Sequence, residues 1–97
     1  MIRSFGNTAT EDFYNGRRSA QSRKIPPTIR ATALRKLDML NAAATVEDLR
    51  SPPGNRLEKL SGNLVGYHSV RINQQWRLVF KWKDSGADDV QIIDYHE

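Results

Sequence analysis

An apolar run that ends in an acid, a phenol and an imidazole, Ile92-Ile93-Asp94-Tyr95-His96, sets proton-transfer groups at the end of a strand. The chain holds two histidines and one of them is here. An imidazole titrates near neutral pH, which suits a general acid or base. Just upstream, Gln75 to Trp82 alternates, with Arg77, Val79 and Lys81 on one face and Trp76, Leu78, Phe80 and Trp82 on the other. The same alternation groups Tyr67, Ser69 and Arg71 with Arg77 and Lys81 and turns His68, Val70 and Ile72 toward the apolar side. Cations on one sheet face beside an acid-base cluster suit a phosphodiester, whose reaction needs positive charge where the phosphate gains negative charge. Each cation taken singly reads equally well as a solvated strand residue. Trp76, Phe80 and Trp82 share the phase of Leu78, so they read as packing rather than as platforms for bases. His68, on the apolar side, reads as a hydrogen-bonded structural residue.

Other chemistries are excluded more simply. There are no cysteines, hence no disulfide framework, thiolate zinc site or cysteine nucleophile. His68 and His96 lack ligand spacing, so no metal site is expected, and no glycine-rich phosphate loop or nucleophile elbow offers a cofactor site. Fifteen Lys and Arg against eleven Asp and Glu leave a net charge of +4, which suits a polyanion or an acidic protein. The first residues lack the apolar core of a secretory signal and no run is long enough to span a membrane. A soluble cytoplasmic protein is expected.

Ninety-seven residues, 38% of them hydrophobic, allow one compact core, so residues 1–97 read as a single domain. Ile2 to Phe5 reads as a short strand and Asn7 or Thr8 as the cap of a helix that Gly16 stops. Arg17 to Lys24 concentrates four cations without an apolar stripe and reads as a loop. Pro26 and Pro27 introduce a helix from Thr28 to about Ala44, with Ile29, Ala33, Leu37, Leu40 and Ala44 on its apolar face. Thr45 caps a short helical turn, and Ser51-Pro52-Pro53-Gly54-Asn55 is a loop. Four strands follow, Arg56 to Leu60, Tyr67 to Ile72, Trp76 to Trp82 and Val90 to Tyr95, joined by short turns that favour antiparallel hairpins. The expected fold is α+β, an N-terminal strand and two helices on one face of a mainly antiparallel sheet of four to five strands.

Ser51 to Gly62, Tyr67 to Ile72, the Asn73-to-Arg77 stretch with its Trp76-Arg77 pair, and the closing Asp94-Tyr95-His96 together resemble the HigB branch of the RelE/ParE toxin superfamily over nearly the whole chain. The resemblance implies the toxin of a type II toxin-antitoxin operon, a ribosome-dependent endonuclease that cuts mRNA in the A site by metal-free attack of a ribose 2′-hydroxyl. Its implied partners are the 70S ribosome with its mRNA and a helix-turn-helix antitoxin of the HigA type, through which alone it would reach operator DNA. Arg77 would hold the phosphate and His96 a proton, with Asp94 and Tyr95 orienting substrate and imidazole. Arg71, Lys81, Lys59 and Arg56 would be further RNA contacts. The family pattern has a histidine and a lysine where this chain has Glu58 and Ser61. Glu58 is then the candidate base, and an attenuated nuclease is the inference. Lys59 adjoins it but alternates to the opposite strand face. The alternative is a non-catalytic inhibitor of the same fold, a ParE-like gyrase poison or a ribosome binder; a pure binder has no need of a titratable group beside Arg77.

Overall fold

The computed structural model describes residues 1–95. Asn7 accepts from the Thr10 amide at 2.8 Å and so caps α1, Thr8–Tyr14. The following basic stretch crosses as loop and 3-10 turn to α2, Arg30–Ala42, which a turn at Pro27–Ile29 introduces. Ile29, Ala33, Leu37 and Leu40 are all buried, one continuous stripe at helical spacing. The helix ends two residues earlier than expected. Ala43 leaves it in extended conformation, which turns Ala43 into the core and Ala44 out.

The sheet is four-stranded and antiparallel in the order β1-β2-β3-β4: Glu58–Lys59, His68–Arg71, Trp76–Lys83 and Gly86–Asp94. β1 is only two residues long because Arg56 adopts a left-handed conformation, φ 46°, which cannot continue a strand. β4 starts earlier than expected. Asp84 and Ser85 both have positive φ, the two-residue hairpin geometry that matches strand twist, so pairing resumes at once from Lys83 to Gly86.

The expected N-terminal strand is realised as two isolated parallel bridges, Ile2 to Ala87 and Phe5 to Val90, along the outer edge of β4. Thr10 extends this cover, its hydroxyl accepting from the Ile92 amide at 2.9 Å. An otherwise bare strand edge is thereby capped.

Phe80, Leu78, Val70 and Ile92 on one sheet face meet Leu37 and Leu40 of α2 and Ile29 of the turn before it, and burial of each large side chain contributes roughly 1.5–3 kcal/mol. Both helices lie on that face. The other face carries Arg77, Val79 and Ser69, as alternation requires.

Candidate functional site

On the face away from the helices the strand register arranges side chains in rows. Arg71 of β2, Arg77 of β3 and Ile93 of β4 form one row. Glu58, Ser69, Val79 and Gln91 form the next. Ser69 and Val79 are fully buried and small, so they make a floor between the longer residues on either side. Beyond them lie Tyr67, Lys81 and Asp89, in mutual contact.

Arg77 is the centre of this face. It is 4% exposed, an unusual depth for a guanidinium, and the Tyr95 ring lies against it with 5.4 Å from the guanidinium carbon to the ring centroid. Tyr95 is fixed in turn by its amide, which donates to the Gln75 carbonyl at 2.7 Å. Arg71 stands directly opposite. Like charges in register on adjacent strands, with Cβ atoms about 4.5–5.5 Å apart, work against the sheet. An anion bound between them removes that penalty.

Of the residues singled out from sequence, Arg71, Arg77, Lys81, Tyr95 and Glu58 come together on this face. Glu58 is its outer member, exposed on the edge strand and about 12 Å from Arg77 between Cα atoms by strand spacing. Lys59 pairs with His68 and so takes the helix side, as its place in the strand requires. Asp94 is in register with Trp76, also off the Arg77 face, and accepts from the side-chain Nε2 of Gln75 at 3.0 Å. Arg56 is exposed in the loop before β1. His96 lies outside the described residues.

His68 stacks on Phe80, centroids 5.9 Å apart, and its Nδ1 is buried without a hydrogen-bond partner among the described residues. The sequence assigned it a hydrogen bond; the ring is held by packing instead. It lines a cleft of about 180 Å³ with Glu47, Arg50, Leu57 and Lys59. Desolvation, helped by the Lys59 charge and opposed by Glu47, holds its pKa below the usual 6.5. Below that value the unfolded chain binds a proton that the folded chain resists, so this contribution to stability is present above pH 6.5 and lost as pH falls through the folded pKa. Urea midpoints measured from pH 7.5 to 5 should therefore fall less in His68→Gln than in the wild type; equal slopes would remove His68 from the acid response.

Tyr67 and Asp89 carry no signal as a pair in the sequence. Tyr67 comes beside Lys81 by continuation of the β2–β3 register, and Asp89 lies in a bulge, in which Asp89 and Val90 together face Phe80 between the pairs Val79 to Gln91 and Lys81 to Asp88. The consecutive acids Asp88-Asp89 are the only hint, since aspartate is poorly suited to a regular strand. Among the described residues no group of three His, Asp or Glu side chains could hold a metal ion, and no helix is long and apolar enough to cross a membrane.

Two helices on one face of an antiparallel four-stranded sheet, with a cationic opposite face, make this a RelE/ParE-like α+β fold. A chain of the YoeB-YefM complex from Staphylococcus aureus superposes with a TM-score of 0.60 at 20% identity, covering 100% of this chain and 99% of that one. A YafQ variant from E. coli gives 0.63 at 12% identity, covering 97% and 93%. These likenesses concern the fold alone. In sequence the chain is 45% identical over 87 residues, 90% of each protein, to Toxin HigB-1 of Vibrio cholerae serotype O1. Residues 3–96 match the family model described as the RelE-like toxin of type II toxin-antitoxin system HigB, and the chain belongs to that family. It is thus the toxin half of such a system.

Proposed function

We propose that this toxin is a ribosome-dependent mRNA endonuclease, the activity that its HigB-type identity supports. The observation that carries the reading is the buried Arg77 on the helix-free face, opposite Arg71 and under the Tyr95 ring. In the reaction a base removes the proton of the ribose 2′-hydroxyl and the O2′–P bond forms. The P–O5′ bond then breaks and an acid protonates the departing O5′, which leaves a cyclic phosphate and a 5′-hydroxyl. Arg77 and Arg71 supply the positive charge that the five-coordinate phosphate requires. Tyr95 keeps the Arg77 guanidinium in place, and His96 and Glu58 are the proton carriers. Asp94, tied to Gln75 at the strand end, orients the segment that leads to His96.

A carboxylate where the family pattern has a histidine removes an imidazole from proton transfer, so an attenuated enzyme is expected. Lys59 and Arg56, on the β1 edge and in the loop before it, are outer contacts to RNA. The 70S ribosome and its message are the substrate complex, and a helix-turn-helix antitoxin of the HigA type is the neutralising partner. Operator DNA is reached only through that antitoxin.

Expression without antitoxin, followed by primer extension on a translated message, should show new 5′ ends that vanish when the start codon is removed. Intact messages with cleaved DNA during growth arrest would overturn this reading in favour of a gyrase poison.

A further inference from the structure

Lys81 is not free on the candidate RNA face. Its Nζ lies 5.0 Å from the centroid of the Tyr67 ring and 3.7 Å from Oδ2 of Asp89. The Tyr67 hydroxyl donates to the same oxygen at 3.4 Å. One carboxylate oxygen therefore sits between an ammonium and a phenol, as a phosphate oxygen would.

The backbone goes to some length to put it there. Asp89 has φ 52°, within the left-handed region that aspartate and asparagine tolerate best among residues with a side chain. Its amide donates to Ser4 Oγ at 2.9 Å, while the neighbouring Asp88 is taken by Arg3 at 2.6 Å. Asp88 is the residue in register with Lys81, yet its carboxylate goes to Arg3, and the bulged Asp89 supplies the carboxylate at the Lys81 ammonium.

The contact is also easily exchanged. The Lys81 and Asp89 side chains are 49% and 43% exposed, and ion pairs so open to water contribute little. Lys81 stands four residues along β3 from Arg77, about 13 Å, on the same face. A strand of RNA held at Arg77 reaches it more than one nucleotide away.

We propose that Lys81, Tyr67 and Asp89 form a second phosphodiester-binding subsite in which Asp89 stands in for the phosphate until RNA displaces it. The proposal rests on the RNA-cleaving reading above and adds to it two residues, Tyr67 and Asp89. Asp89 thereby lowers the affinity of the free toxin for RNA backbone in general.

The test is the salt dependence of binding to 70S ribosomes, with and without message, for wild type, Asp89→Asn, Lys81→Gln and the double variant. Asparagine keeps the left-handed backbone accessible, and Asp89→Gly, read alongside with thermal melts, keeps the comparison valid if asparagine disturbs the fold. Asp89→Asn should bind roughly two- to five-fold more tightly. In Lys81→Gln the slope of log K against log salt should become shallower by about 0.7, one phosphate contact to a single strand lost. Lys81→Gln should remove that gain in the double variant. A gain only with message assigns the phosphate to mRNA, and a gain on both assigns it to ribosomal RNA. Unchanged affinity in folded Asp89→Asn and Asp89→Gly, or an unchanged slope in Lys81→Gln, would overturn the subsite. Message cleavage by the wild type is scored in the same preparation, so loss of the endonuclease reading shows separately as uncut message.

Discussion

Replacing Arg77 by alanine is expected to lower mRNA cleavage on programmed ribosomes by roughly 100- to 1,000-fold, the loss typical of removing one preorganised charge or donor from a developing anion. That corresponds to about 3–4 kcal/mol of transition-state stabilisation. The effect is large because Arg77 is desolvated at 4% exposure and oriented by Tyr95, so its charge is little screened by water. Arg71, half-exposed across the strand, should cost less when truncated. Arg77→Lys separates charge from geometry. The ammonium keeps the charge but lacks the planar fork and its stacking on the Tyr95 ring, so only partial activity should return. Arg18, exposed in the loop after α1, is the control, and its loss should leave cleavage within about two-fold, as for surface substitutions in general. Because Arg77 is buried, thermal melts must accompany the rates. Equal losses in folded Arg77→Ala and Arg18→Ala would move the site off this sheet face.

The face itself was legible because its signal is local. A period of two places Arg77 with Arg71 and Lys81 whatever surrounds the strands, and the structure keeps that grouping. The stripe Ile29, Ala33, Leu37 and Leu40 was legible for the same reason at helical spacing. The bulge at Asp89 was not, since one extra residue resets the phase of β4 and only the partner strand reveals it. Nor was the burial of Lys36 and Asn55. Lys36 lies outside the apolar stripe of α2, yet it is 8% exposed and donates to the Asn55 side chain, whose own amide reaches the Leu49 carbonyl at 3.1 Å. Desolvation, with the nearby Arg35 charge second, lowers the Lys36 pKa. That contact joins a helix to a loop nineteen residues away, and no local pattern encodes it. Ile2 to Phe5 has strand composition, but Gly6 and the Asn7 cap cut it short, so it makes bridges instead of a ladder.

His96→Ala is the other variant with a large expected effect, a loss of roughly 100- to 10,000-fold in single-turnover cleavage, the range spanned by general acid-base groups. The residue before it in sequence, Tyr95, is anchored beside Arg77 by ring and amide contacts. Imidazoles as a class titrate near neutral pH, as proton transfer there requires. His96→Ala should keep the circular dichroism spectrum and the ribosome affinity of the wild type, because the group acts on a proton rather than on binding. Glu58→Ala decides what takes the other proton. Glu58 occupies the row next to Arg77 on the edge strand, and a loss comparable to that of His96→Ala would make its carboxylate the base. Glu58→His, which restores the imidazole of the family pattern, should then raise the rate at pH 7. Unchanged cleavage in Glu58→Ala would make Glu58 an outer surface residue, and wild-type cleavage in His96→Ala would reduce Asp94-Tyr95-His96 to a binding element.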